Sequence, residues 1–219
     1  PRIVVLPVEN LSGKQAPLQE IRASLAQGLV KQGAMVLEDG ELNRFMARHR
    51  VRYTGGVDFI TARAYRDEAG MEAVLITSVD QYVGDAELPK IALTARLVST
   101  GELPYILWME SVDLAGDDSP GLFGVGLIDS IGPLQDKAVR QLLASLAAFY
   151  ADRPVQKKRG AEGTFQPKAA YKASFLEPDR TQTVAVVPFL NESKNVKAAE
   201  IIALRFVGQL VKIKTFRVL

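Results

Sequence analysis

His49 is the only histidine in the chain and there is no cysteine. A Ser-His-Asp triad would have to be built on His49, and the G-x-S-x-G turn that exposes such a serine is absent. Disulfides, thiolate nucleophiles and thiolate-bound zinc are excluded outright. The carboxylate pairs Glu38/Asp39, Asp67/Glu68 and Asp117/Asp118 are immediate sequence neighbours. Adjacent side chains do not converge on one point as catalytic acid and base do. Asp117 and Asp118 have too few neighbouring oxygen ligands to define a calcium site. Gly121–Gly126 reads G-x-x-G-x-G. A dinucleotide loop needs G-x-G-x-x-G in a strand-to-helix turn, and a phosphate loop needs a Lys-Ser/Thr that is missing here. No catalytic residue, cofactor site or metal site is expected.

Two features remain as candidate partner contacts. Arg44, Arg48 and Arg52 recur every four residues and would share one helix face, with Phe45 and Tyr53 beside them. Such a face suits an anion or an acidic partner, and more remotely bases. Equally, it suits a solvated helix end, where cations offset the dipole. Leu122 and Phe123 sit in a loop next to Asp117 and Asp118, where they either meet a partner or tuck beneath the loop. Trp108 alternates with Ile106 and Val112 and reads as core.

The elements that must carry these residues follow from periodicity. Ile3–Leu6 is an apolar run that ends at Pro7, consistent with a buried strand, and Asn10–Gly13 reads as a loop. From Pro17 onward, Leu18, Ile21, Leu25 and Leu29 fall at helical spacing, with Gly33 as a stop. Ala34–Leu37 is a second strand. Asp39 is placed to cap a helix through Leu42, Phe45, Met46 and His49. Residues 58–69 are helical through Phe59, Ala62 and Tyr65. Ala73–Ile76 is the continuous apolar run of a central strand, continuing to Val83. Ile91–Val98 alternates, Ser99–Glu102 turns, and Leu103–Leu114 runs back as a long antiparallel hairpin. A last helix starts near Pro133 and buries Leu134, Ala138, Leu142, Leu146 and Phe149. The order β-α-β-α-α-β-β-β-α gives an α/β domain over residues 1–151, a mixed sheet with packed helices.

The chain has 219 residues, 47% hydrophobic and 24% charged, an ordinary globular balance. No uninterrupted apolar run reaches the ~18 residues of a membrane-spanning helix. The formal charge of +2 hides an asymmetry: residues 1–151 carry a net −5, residues 152–182 a net +3 and residues 183–219 a net +4. An acidic main domain argues against general nucleic-acid binding. Residues 152–182, with Pro154, Pro167, Pro178 and the Lys157–Arg159 run, read as a basic linker. The chain opens on a strand with no initiating Met, so its natural amino terminus is expected upstream and the missing leader leaves the compartment open.

Thr183–Ser193 then lies over Arg2–Ser12 at an offset of 181. Identities are Val5/Val186, Pro7/Pro188, Asn10/Asn191, Ser12/Ser193, Ile21/Ile202, Leu29/Leu210, Val30/Val211 and Lys31/Lys212. The same strand–loop–helix context marks 183–219 as the start of a second, incomplete copy. At 37 residues it falls below the ~40 at which isolated chains usually need disulfides, metals or a partner. Its helix carries Ile201, Ile202, Leu204, Phe206, Leu210 and Val211, so the fragment is expected to dock on the first domain or on a second chain.

The strand, Pro, Val/Phe-x-Asn-x-Ser and amphipathic helix resemble the opening of TolB amino-terminal-like domains. These occur in bacterial envelope lipoproteins, including the curli-secretion (CsgG-like) and penicillin-binding-protein-activator groups. Gly70–Val79 resembles that family's third strand, and Ala95–Glu102 followed by Leu107 and Trp108 resembles its hairpin. The resemblance implies a non-catalytic interaction or assembly domain facing the periplasm, associated with the outer membrane. Its partners would be other envelope proteins or further copies of itself, and its lipid anchor would lie upstream of Pro1. It transfers no catalytic residue. The alternatives are a secretion-channel component like the curli lipoprotein, or a cytosolic binding module attached to a sensor.

Overall fold

The structure is a computed structural model that describes residues 1–84, 88–118, 127–151, 181–187, 189–213 and 216–219. Strand β1 (Arg2–Val5) is followed by a two-residue strand β2 (Glu9–Asn10), then helix α1 (Leu18–Lys31) and strand β3 (Met35–Val36). Helices α2 (Asp39–Arg48) and α3 (Phe59–Ala69) lead into the long strands β4 (Ala73–Val83), β5 (Lys90–Ser99) and β6 (Ile106–Ala115). Helix α4 (Ile131–Tyr150) follows β6. The sheet order is β3-β1-β4-β5-β6, with β2 pairing β4 beyond the end of β1. β1 pairs in parallel with β3 and β4, whereas β4, β5 and β6 are antiparallel. The fold is therefore α/β with a mixed sheet.

Each sheet face has its own core. On the first, Ile3, Val5, Leu75, Leu93, Leu97 and Trp108 pack against Ile21, Leu25 and Leu29 of α1 and Leu142 and Leu146 of α4. On the second, Val4, Leu6, Val74, Ile76 and Val98 pack against Leu42 and Phe45 of α2 and Tyr65 of α3. Complete burial of such a side chain stabilises the fold by about 1.5–3 kcal/mol. Helices α1 and α4 meet closely at Gly28, where a Cβ would fall 2.2 Å from Leu143 Cδ1. Gly70 ends α3 at φ +63°, a left-handed conformation in which glycine escapes the Cβ penalty.

Several local expectations are corrected. Asn10 is not wholly loop: β2 pairs Glu9 with Ser78 and Asn10 with Val79. Two residues are too few for periodicity to register. Asp39 is not the cap of α2: Glu38 holds that position, and its side chain makes no capping hydrogen bond. Ile106 does not share a face with Trp108. The ladder shifts between Leu97 and Val98, pairing Trp108 with Leu97 but Ile106 with Val98. The bulge takes up Leu107 and turns Ile106 to the second core. Trp108 is core as expected, and its indole N–H donates to Ser145 Oγ at 3.3 Å.

Most of the expected linker lies outside the described residues. Strand β7 (Gln182–Val184), helix α5 (Ala198–Lys212) and strand β8 (Phe216–Val218) follow it, with β7 parallel to β8 as β1 is to β3. The loop after the strand is built alike in both places. Asn10 Nδ2 donates to Lys14 O at 2.7 Å and Asn10 Oδ1 accepts from Ser12 N at 3.1 Å. At an offset of 181, Asn191 Nδ2 donates to Asn195 O at 2.7 Å and Asn191 Oδ1 accepts from Ser193 N at 3.0 Å. The expected docking is observed within the chain, where α5 packs across β6 and Val218 is buried.

Candidate functional site

Residue type along the second sheet face changes from apolar to polar. The rows across β4, β5 and β6 read Val74–Val98–Ile106, then Ile76–Arg96–Met109, then Ser78–Thr94–Ser111. Helices α2 and α3 cover the apolar end. At the polar end a shift in the β4–β5 ladder past Val79 brings in Asp80, which is buried. Ser78 Oγ donates to Asp80 Oδ1 at 2.6 Å, and Thr94 Oγ1 donates to Asp80 Oδ2 at 2.5 Å. Burial pushes the Asp80 carboxyl above the usual range, although both hydroxyls and Arg205 oppose the shift.

Helix α5 lies over this polar end. Arg205 Nη1 and Nη2 donate to the two Asp113 oxygens at 2.6 and 2.5 Å, a bidentate pair at the rim. Arg205 Nη2 is also 3.5 Å from Asp80 Oδ2, and Lys212 Nζ is 3.8 Å from Glu110 Oε1. Gly208 is the buried residue of α5; a Cβ there would sit 3.8 Å from Met109 Sδ. At the end of the unit the Arg217 guanidinium lies 4.9 Å from the centre of the Tyr105 ring.

Between the apolar and polar ends, and roofed by α5, is a cavity of about 620 Å³. Ile106, Ala203, Leu204 and Val207 give it apolar walls, and Glu9, Tyr53 and Arg96 place polar groups on it. Arg96 donates to Gly55 O. Desolvation lowers the Arg96 guanidinium, with Tyr53, Glu9 and Asp80 opposing. Burial raises Glu9, and Glu200 adds to the rise; burial also raises Tyr53, with Glu9 adding. Arg96, Glu9 and Tyr53 interact within residues 1–151, and Glu200 of α5 acts on Glu9 and Tyr53 across the interface.

The three arginines do not form one face. Helix α2 ends at Arg48, and Arg50 adopts φ +53°, which carries Arg52 off the helix. Arg48 Nη1 donates to Glu68 Oε2 at 2.9 Å, and His49 Nε2 lies 2.9 Å from Glu68 Oε1. His49 first, then Arg48, holds the Glu68 carboxyl below its usual range. Arg48 and His49 thus join α2 to α3. Leu122 and Phe123 lie outside the described residues. Among the described residues no cluster of three or more His, Asp or Glu is arranged to hold a metal ion. No helix among them is long and apolar enough to cross a membrane.

Sequence reading missed Asp80, Asp113 and Arg205 as a group. The one available signal was polar intrusion along β4, where the apolar run Ala73–Ile76 gives way to Thr77, Ser78, Asp80 and Gln81.

No family model matches this chain, and no curated protein matches it. Among solved structures it is similar to lipoprotein GNA1162 from Neisseria meningitidis, at 22% identity and a TM-score of 0.44 over 66% of this chain and 98% of that one. It is also similar to the PelC dodecamer from Paraburkholderia phytofirmans, at 11% identity and a TM-score of 0.44 over 67% of this chain and 86% of that one. A third similarity is to the LpoB C-terminal domain from Escherichia coli, at 18% identity and a TM-score of 0.41 over 52% and 81%.

Proposed function

We propose that this chain is a non-catalytic interaction domain of the bacterial cell envelope, facing the periplasm, in which tandem copies of one α/β unit dock helix on sheet. The observation that carries the docking is Arg205, bidentate on Asp113 at the lip of the buried Asp80. A carboxylate taken out of water calls for a cation or proton, and the second unit delivers the cation, with Arg205 Nη2 3.5 Å from Asp80 Oδ2. The recurring Asn-x-Ser hydrogen bonds and the parallel β7–β8 pair support reading 183–219 as the opening of a second copy. The envelope assignment is supported by the sequence resemblance to envelope lipoprotein domains.

The docking is tested by amide hydrogen exchange. Arg205→Glu removes the cation facing buried Asp80 and places a third acid beside Asp80 and Asp113; the rim pair is worth little by itself, but leaving the buried Asp80 charge without its cation costs about 2 kcal/mol. Exchange along residues 198–212 is expected to accelerate by roughly 30-fold while that of β4 and β5 stays unchanged. Unchanged protection of α5 would refute the docking. Recovery of the endogenous protein in the cytosol on cell fractionation would refute the envelope assignment.

A further inference from the structure

The geometry points to the cavity under α5 as the binding site of an uncharged amphiphile, an aliphatic chain whose head both accepts and donates hydrogen bonds, as a hydroxyl or amide head does. The inference rests on the docking described above, because α5 supplies the roof, and it names what that site takes.

Size and lining support the aliphatic chain. Packed interiors leave few voids larger than a water molecule. This cavity measures about 620 Å³, within the ~300–1,000 Å³ of small-molecule pockets. The sequence of α5 accounts for the space. The helix rests close on β6 at Gly208, where a Cβ would sit 3.8 Å from Met109 Sδ. Toward its amino end Ala199, Ala203 and Val207 recur at helical spacing and line the cavity with short side chains. Ile76, Val98 and Ile106 form the facing wall. A bound chain would supply the contacts that these two walls do not make with each other.

The polar groups decide the head, and they gather around Gly55. Gly55 O accepts from Arg96, and a Cβ on Gly55 would collide with the Glu9 carboxylate and the Tyr53 hydroxyl. Arg96 interrupts the otherwise apolar row Ile76–Arg96–Met109. Desolvation acts on both charges, lowering the Arg96 guanidinium and raising the Glu9 carboxyl. Among the described residues Arg96 makes that single hydrogen bond and no ion pair, and the Glu9 carboxylate makes neither. A guanidinium offers several N–H donors and an ionised carboxylate only acceptors. Charges withdrawn from water call for hydrogen-bonding partners.

Arg96 and Glu9 thus stand on one wall, close enough to act on each other and too far apart to pair. The gap suits a group that accepts from Arg96 and donates to Glu9. Glu200, the other carboxylate on the wall, is already held by Lys197 Nζ at 2.9 Å. A carboxylate or phosphate head would satisfy Arg96 but bring no donor to Glu9. A quaternary ammonium head would bring no acceptor to Arg96.

Isothermal titration calorimetry of the full chain tests this, with monodecanoylglycerol below its micellar concentration as the probe. Saturable binding is expected, with decanoate and decyltrimethylammonium each weaker by roughly 10-fold or more, because each leaves a charged group of the wall unanswered. Arg96→Met keeps an apolar stem, removes the donor and is expected to weaken monodecanoylglycerol by a similar factor. Ala203→Phe fills the cavity from the roof and is expected to abolish binding. Unchanged Trp108 fluorescence shows that the sheet core of each variant is folded. Absence of saturable binding to the wild-type chain overturns the inference, as does decanoate binding as tightly as monodecanoylglycerol, or full affinity in Ala203→Phe. Amide exchange of the wild-type chain separates the causes. Protected α5 without binding overturns the ligand and leaves the docking standing, whereas unprotected α5 overturns both.

Discussion

Leu25 and Phe206 occupy corresponding positions in α1 and α5 but opposite environments, so truncating each to alanine tests how the two helices are used. Leu25 is 1% exposed and packs among Leu75, Ala95, Trp108, Leu142 and Leu146. Leu25→Ala removes three buried carbons, about 2.4 kcal/mol at ~0.8 kcal/mol per methylene. The void adds to this, because neighbours fixed on β4, β5 and α4 relax only partly. The expected total is about 3–5 kcal/mol. For a chain of this length that lowers the melting temperature by roughly 6–20 °C. Phe206 is 54% exposed, and Phe206→Ala is expected to cost less than about 1 kcal/mol. The assay is urea unfolding followed by Trp108, the only tryptophan, which sits in the same core as Leu25. A Leu25→Ala cost below about 1 kcal/mol, or a Phe206→Ala cost equal to it, would refute the assignment of α1 as core-facing and α5 as open on that face.

Two further outcomes are expected from single carboxylates. Asp58 caps α3, its Oδ1 accepting from Thr61 N at 2.9 Å, so Asp58→Ala is expected to cost ~1 kcal/mol in urea unfolding at neutral pH. The Thr61 hydrogen bond holds the Asp58 carboxyl below its ordinary 3.8, so its contribution is present above that value and is lost as pH falls through the lower folded one. An Asp58→Ala cost that persists undiminished in strong acid would contradict the capping role. Asp80 has the opposite sign: burial raises its carboxyl, so the folded state holds the proton more tightly and stability declines as pH rises from about 4 through the raised value. Asp80→Asn is expected to flatten that part of the stability–pH curve, and an unchanged slope would show that the raised carboxyl does not drive it.

The sequence by itself determined the elements whose faces repeat. Leu18, Ile21, Leu25 and Leu29 recur at the helical period, and Ala73–Ile76 is apolar on both sides because both faces of β4 are covered. Local chemistry fixed the Asn-x-Ser loops in the same way, since the side chains of Asn10 and Asn191 bond residues a few positions away. Tertiary structure alone decided features that depend on distant partners. Ile106 changed faces because a bulge at Leu107 reset the register against β5, and a bulge is a property of two strands. Arg52 left the face of Arg44 and Arg48 because the backbone turned left-handed at Arg50, where no glycine marked the break. The docking site was illegible for the same reason. Asp80, Asp113 and Arg205 are unremarkable charges in three separate segments, and they become one group only when the sheet aligns β4 with β6 and α5 folds across them. Periodicity records how a segment divides between core and solvent, whereas a contact between segments depends on where the whole chain brings them together.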